Sequence, residues 1–170
     1  GTGDFTIECY VAFTPTSSSS DSALPITCDF TDSGDPLGGW SIRFDFDATG
    51  YLSFSWQGID VITYETGIDD GDFHHVAVTR VGTTAYLLLD GSAVGSYVDF
   101  NVDMTSNGQP LHIADTTSMF ASSAVMYVDD VRITKGVGRY SGSYDVPTEA
   151  FPEIGEAQSE LSITGFAPTV

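Results

Sequence analysis

Positive charge is what this sequence lacks most. Only 5 lysines and arginines stand against 24 aspartates and glutamates, a formal net charge of −19. So acidic a chain repels phosphate on approach, which argues against a nucleic-acid partner. The charge reads instead as a solvated acidic surface, as solubility in high salt, or as an acidic rim that gathers metal ions. Arg132, Lys135 and Arg139 fall within one short stretch. Internal pairing with Asp129 and Asp130 is the expected use of that cluster, ahead of an anchor on a negative molecule.

Long apolar runs are missing too. None approaches the roughly 18 residues a membrane helix needs, so no span and no membrane insertion is expected. No window combines a 3.6-residue apolar period with a cap, so no helix is expected either. Cysteine is scarce. Cys9 and Cys28 each share the apolar side of a strand, a pattern that one disulfide and two buried thiols satisfy equally well, and the count fixes no redox compartment. The sequence opens on Gly1 with no basic-then-apolar leader, which reads as a chain processed or cut from something longer.

Alternation is what is present. The hydrophobic fraction of 41% and aromatic fraction of 12% exclude wholesale disorder, and 170 residues suit one domain. Phe5, Ile7, Cys9, Val11 and Phe13 occupy one face of a strand, with Thr6, Glu8, Tyr10 and Ala12 on the other. Trp40, Ile42, Phe44 and Phe46 repeat the pattern, and Leu52, Phe54 and Trp56 answer it after a turn at 48–50. The centre of the chain is a hairpin, in which Asp72–Arg80 and Thr84–Leu89 flank Val81-Gly82-Thr83 and an Asp90-Gly91 turn follows. With further strands at 24–30, 59–65, 93–98, 111–114 and 125–134, about ten to twelve are expected, hence an all-β two-sheet sandwich or barrel. Ser17–Ser20 reads as a flexible surface loop. Residues 147–152 read as an extended crossing of the surface, which closes a domain at 1–152. Residues 153–170 read as an acidic C-terminal arm or linker.

Four segments in order resemble the laminin G-like branch of the concanavalin A-like lectin/glucanase superfamily. They are Gly3–Glu8, Phe73–Arg80 (where the family commonly carries Trp at the Phe73 position), Leu89-Asp90-Gly91, and Asp129–Ile133. The run Lys135–Tyr144, leading to Pro147 and Phe151-Pro152, resembles a closing segment of virus-borne and bacterial members. The resemblance implies an antiparallel jelly roll over residues 3–152, with His74 and His75 as framework, one ring packing inward and the other bonding across the sheet. It implies no single activity, because the fold carries lectins, adhesion modules, glucanases and structural domains alike.

Candidate sites follow from residue chemistry. Neighbouring histidines on a strand point to opposite faces, so His74 and His75 do not jointly clasp a metal. The family's Glu-x-Asp-x-x-Glu arrangement of glucan cleavage is absent, and Asp45 with Asp47 has no third acid on its strand, so no catalytic residue and no enzyme is expected. Calcium prefers oxygen-rich loops, and two qualify: Asp29, Asp32 and Asp35 in one, Asp69, Asp70 and Asp72 in the other. Tyr10, Tyr51, Tyr64 and Tyr97 are the expected wet-face aromatics for stacking on a glycan. The reading is a non-catalytic surface binding or adhesion module. Its expected setting is extracellular or on a virion, as a capsid decoration or tail-associated protein, with a glycan or a neighbouring structural protein as partner. A purely structural assembly domain is the competing reading, and oligomer formation fits both.

Overall fold

The computed structural model describes residues 1–15, 21–28, 39–46, 50–104, 110–115 and 124–151. Among these residues ten strands run in order: β1 Phe5–Pro15, β2 Asp21–Cys28, β3 Trp40–Phe46, β4 Tyr51–Trp56, β5 Ile59–Glu65, β6 His74–Val81, β7 Thr84–Leu89, β8 Ser92–Tyr97, β9 Leu111–Asp115 and β10 Ala124–Lys135. Every paired neighbour is antiparallel. One sheet has the order β10-β1-β6-β7-β8 and the other β5-β4-β3-β2-β9. Among the described residues no helix occurs, and none is long and apolar enough to cross a membrane.

Local chemistry sets the turns. Gln57-Gly58 and Asp90-Gly91 hold both central residues at positive φ, the primed geometry that matches the right-handed twist of paired strands. Gly91 also sits under the closing segment, where an added Cβ would lie 2.8 Å from the Tyr144 carbonyl oxygen. The alternating apolar faces meet between the sheets. Cys9, Val11 and Phe13 of β1 pack with Ile42, Phe44, Leu52, Phe54, Val76 and Leu87, and the Phe13 and Phe44 rings lie 4.3 Å apart. Cys9 and Cys28 are both buried and not joined, and burial with the nearby Glu8 charge pushes the Cys9 thiol up to about 12.

One cation lies inside this core. Arg80 is 1% exposed and donates to the carbonyls of Gly3 at 2.9 Å, Val102 at 2.7 Å and Gly1 at 2.9 Å. Its guanidinium stands 5.1 Å from the Phe5 ring and 5.9 Å from the Phe100 ring. Desolvation lowers its pKa, against the opposing pull of Asp4 and Asp103.

The two long sides of the sandwich differ. Where β5 meets β8 the contact is tight, since a Cβ on Gly95 would stand 2.5 Å from Ile62 Cγ2. Where β9 and β10 face each other, Leu111 and Ile133 remain 44% and 41% exposed although their register partners Cys28 and Ile7 are core residues.

The outer face of the β1 sheet departs from the alternation reading. Thr6, Glu8, Ala12, His75 and Thr79 point away from the sandwich core yet are buried. Chain leaving β10 returns over them. Val137 accepts from the Thr6 hydroxyl at 2.9 Å, the Tyr140 hydroxyl donates to Glu8 at 2.8 Å, and Pro147 accepts from the Tyr10 hydroxyl. A polar face that looks wet in sequence is therefore a second, polar interior.

A candidate binding cleft on the outer face of the β1 sheet

The cleft begins with a slip in register. Glu8 faces Arg132 and Tyr10 faces Asp129, so Asp130 and Val131 together oppose Cys9. This is a β-bulge, which bends the strand and re-aims its side chains. Asp130 takes φ +46°, an uncommon conformation for a residue with a Cβ, and its N–H is held by the Asp129 carboxylate at 2.8 Å.

Beneath the returning segment Glu8 is the hub. Arg132 Nε donates to its Oε1 at 2.7 Å, and His75 Nε2 lies 3.3 Å from Oε2. His75 Nδ1 and the Tyr144 hydroxyl are 2.6 Å apart, Tyr140 and Tyr144 stack at 4.1 Å, and Arg132 lies 3.7 Å over the Phe151 ring. Burial pushes the Tyr140 hydroxyl up to about 12 and raises that of Tyr144. Internal pairing of Arg132 was the expectation, but its partner is Glu8 rather than Asp129 or Asp130. Directly opposed side chains on paired strands meet, whereas the bulge separates the residues along β10.

Beside this network lies a cleft of about 470 Å³. Tyr10 and Phe73 supply its rings, Asp129, Asp130 and Glu149 its carboxylates, and Pro147 part of its wall, with no basic side chain in the lining. Phe73 is 54% exposed. Aromatic faces beside oxygen acceptors suit a flat, hydroxyl-bearing ring.

The other sequence candidates scatter. Tyr51 lies on the outer face of the second sheet, opposite Asp45, while exposed Tyr64 and Tyr97 sit on edge strands β5 and β8, so the four tyrosines form no common platform. Asp45 accepts from the Ser22 hydroxyl and pairs with Arg43 at 2.9 Å. Asp29, Asp32, Asp35 and Asp47 lie outside the described residues. Asp70 turns back on its own loop, accepting from the Asp72 N–H at 2.9 Å and meeting His74 Nε2 at 3.2 Å. Among the described residues no group of three or more His, Cys, Asp or Glu is arranged to hold a metal ion. Of the rings and carboxylates in the cleft, sequence reasoning named Tyr10 alone as a site residue; it missed Phe73 and Glu149, and read Asp129 and Asp130 as ion-pair partners. In sequence Phe73 stands out only as the residue where the family commonly carries Trp, and Glu149 reaches the site through the returning segment.

The histidines do face opposite ways, but His75 enters the polar interior, not the apolar core. His74 stands at the rim between Asp90, 2.6 Å from Nδ1, and Asp70. Burial alone would lower its pKa, but the hydrogen bonds to Asp90 and Asp70 outweigh it and the net shift is upward. A raised folded-state pKa gives stability fully present below the unfolded value near 6.5 and lost as pH climbs through the folded value. His74→Gln is expected to flatten that decline above about pH 6.5. Urea unfolding at stepped pH checks this, and parallel profiles for the two proteins would refute it.

The laminin G-like family model of the concanavalin A-like lectin/glucanases superfamily matches residues 1–137. No curated protein sequence matches the chain. Among solved structures, it is similar to botulinum neurotoxin type C, whose cell entry depends on interaction with two ganglioside molecules (TM-score 0.53, 14% identity, 77% of this chain and 32% of that one). It is also similar to the carbohydrate-binding module CBM66 from Bacillus subtilis (0.50, 20%, 77% and 74%). A third likeness is to the heptameric SAP-like pentraxin from Limulus polyphemus (0.51, 13%, 78% and 64%). The chain spans about a third of the toxin chain, and at such identities the likeness is one of fold. The matched residues and the two five-stranded antiparallel sheets agree: the chain belongs to the concanavalin A-like lectin/glucanases superfamily, in its laminin G-like branch.

Proposed function

We propose that this chain is a non-catalytic surface module that binds a glycan in the cleft of Tyr10 and Phe73. The observation that carries the reading is the lining itself: two aromatic rings and three carboxylates around about 470 Å³, formed where a bulge meets the returning segment. The rings stack on a sugar face and the carboxylates accept its hydroxyls. The carbohydrate-binding module and the ganglioside-dependent toxin among its structural likenesses support the reading. The setting is extracellular or on a virion surface, there as a capsid decoration or tail-associated domain. The closing-segment resemblance of Lys135–Tyr144 and the acidic surface support that setting.

A second reading, a structural domain that glues neighbouring subunits, is favoured by exposed Val125 and Tyr127 on edge strand β10.

A glycan array with millimolar calcium, repeated with chelator, decides between them. Phe73→Ala is expected to weaken binding about fivefold to tenfold with unchanged folding, since a lost ring contact costs about 1 kcal/mol or more. Tyr10→Ala is expected to weaken it further, because the Pro147 wall loses its tether. Loss on chelation makes the binding metal-dependent and points to the two Asp-rich loops, Asp29, Asp32 and Asp35 or Asp69, Asp70 and Asp72. Silence in both conditions, with native folding, moves the function to assembly, and release of new reducing ends from a bound glycan overturns the non-catalytic reading.

A further inference from the structure

The open side of the sandwich holds a second cavity, sharing no lining residue with the cleft. It is about 420 Å³ and lies between the sheets, walled by Ile7 of β1, Trp40 of β3, Leu111 of β9 and Ile133 of β10. Protein interiors rarely leave voids larger than a water molecule. A slot lined mainly by apolar side chains with a few polar groups at its edge suits an apolar ligand body. The inward-facing Leu111 and Ile133 show the same gap from outside, each more than two-fifths exposed although on the core side of its strand.

Two charged side chains stand in the lining, and they differ in what holds them among the described residues. Asp4 accepts from the Gly82 N–H at 2.9 Å. Lys135 has no carboxylate partner among the described residues, in a chain where acids outnumber bases 24 to 5. The other bases are committed: Arg43 to Asp45 and Asp60, Arg80 to backbone carbonyls, Arg132 to Glu8, and Arg139 to Thr134 and Glu8. A flexible ammonium at the edge of an apolar slot is matched by a single anionic head on an apolar body.

We propose that this slot binds a medium-chain carboxylate amphiphile, its tail between the sheets against Trp40 and Leu111 and its head on Lys135. The net negative charge repels such a ligand at long range, so about 0.15 M salt, where that repulsion is screened beyond about 8 Å, is the condition for the test.

Decanoate is titrated into the purified chain, followed by tryptophan fluorescence and calorimetry, with decanol in parallel. Saturable binding of one decanoate per chain is expected, about fivefold tighter than decanol, the size of a partly screened ion pair. Lys135→Met should bring decanoate down to the decanol level and leave decanol unchanged. Gly3→Leu should abolish both. Gly3 lines the slot and an added Cβ there would meet nothing within 4 Å, so a larger side chain can be introduced at this wall. Absence of saturable decanoate binding by the folded wild type overturns the proposal. So does equal affinity for the two probes, or undiminished binding by Gly3→Leu. Phe73→Ala should leave decanoate binding unchanged, which keeps this site's outcome separate from that of the glycan cleft.

Discussion

Glu8→Ala is expected to cost about 3–5 kcal/mol, the range for removing one partner of a buried ion pair. That is a large share of the 5–15 kcal/mol that holds a typical domain together. Glu8 is fully buried, and its carboxylate is the shared acceptor for Arg132 and Tyr140 and lies beside His75. Without it the Arg132 guanidinium keeps the Phe151 ring but loses its counter-charge, and Tyr140 and His75 lose a partner under the returning segment. The same carboxylate sets an acid limit. Burial would raise its pKa above the ordinary 4.5, but the close approach of His75 and the hydrogen bonds from Arg132 and Tyr140 outweigh burial and lower it. A depressed folded-state pKa gives stability present above the unfolded value and lost as pH falls through the folded one. Glu8→Gln should therefore be less stable at neutral pH, yet lose less on acidification than the wild type. Urea midpoints between pH 7 and pH 3 measure both effects. A Glu8→Ala protein within about 1 kcal/mol of wild type would mean the network contributes little.

Arg80→Met should cost about 3 kcal/mol, because hydrogen bonds to a charged donor are worth about 1.5–3 kcal/mol each and three carbonyls lose theirs. Re-solvation of Gly1 and Gly3, both exposed, returns part of the loss. The informative companion is Arg80→Lys. A lysine keeps the charge but cannot span carbonyls from Gly1, Gly3 and Val102 with one planar fork. It should recover less than half of the deficit in thermal unfolding, with faster amide exchange confined to residues 1–6 and 100–104. Full recovery by lysine would show that charge, not geometry, matters there.

Apolar alternation made the sandwich legible before any coordinates. Phe5, Ile7, Cys9, Val11 and Phe13 are all core, and β4, β5 and β7 begin and end where period and turn chemistry place them. The polar faces were misread, and for a physical reason. Thr6 and Glu8 share the face of Tyr10 and look solvated because period-two patterning reports which residues share a face, not whether a later segment covers that face. Arg80 illustrates the same limit: a charged residue at the end of an apolar face is core here because the turn back through Gly1–Gly3 brings carbonyls to it. Tyr10 was identifiable as an outward aromatic, but its neighbours were not. The cleft depends on a one-residue slip at Asp130–Val131, and the Asp129-Asp130-Val131-Arg132 motif carries no alternation signal for a bulge.

The position of β1 has a consequence for how the chain reaches this state. The first of the described strands lies between β6 and β10, and its polar contacts reach Thr79, 73 residues on, and Tyr140, 132 residues on. Pairings so distant in sequence must pay loop-closure entropy first, which slows folding. The meanders β3-β4-β5 and β6-β7-β8 can form locally. Until β10 and the returning segment arrive, β1 presents one unpaired edge and a row of aliphatic and aromatic side chains, the kind of surface that recruits other chains. A ribosome that stalls before residue 124 would leave that edge open, so the risk of aggregation falls during synthesis rather than in the finished domain.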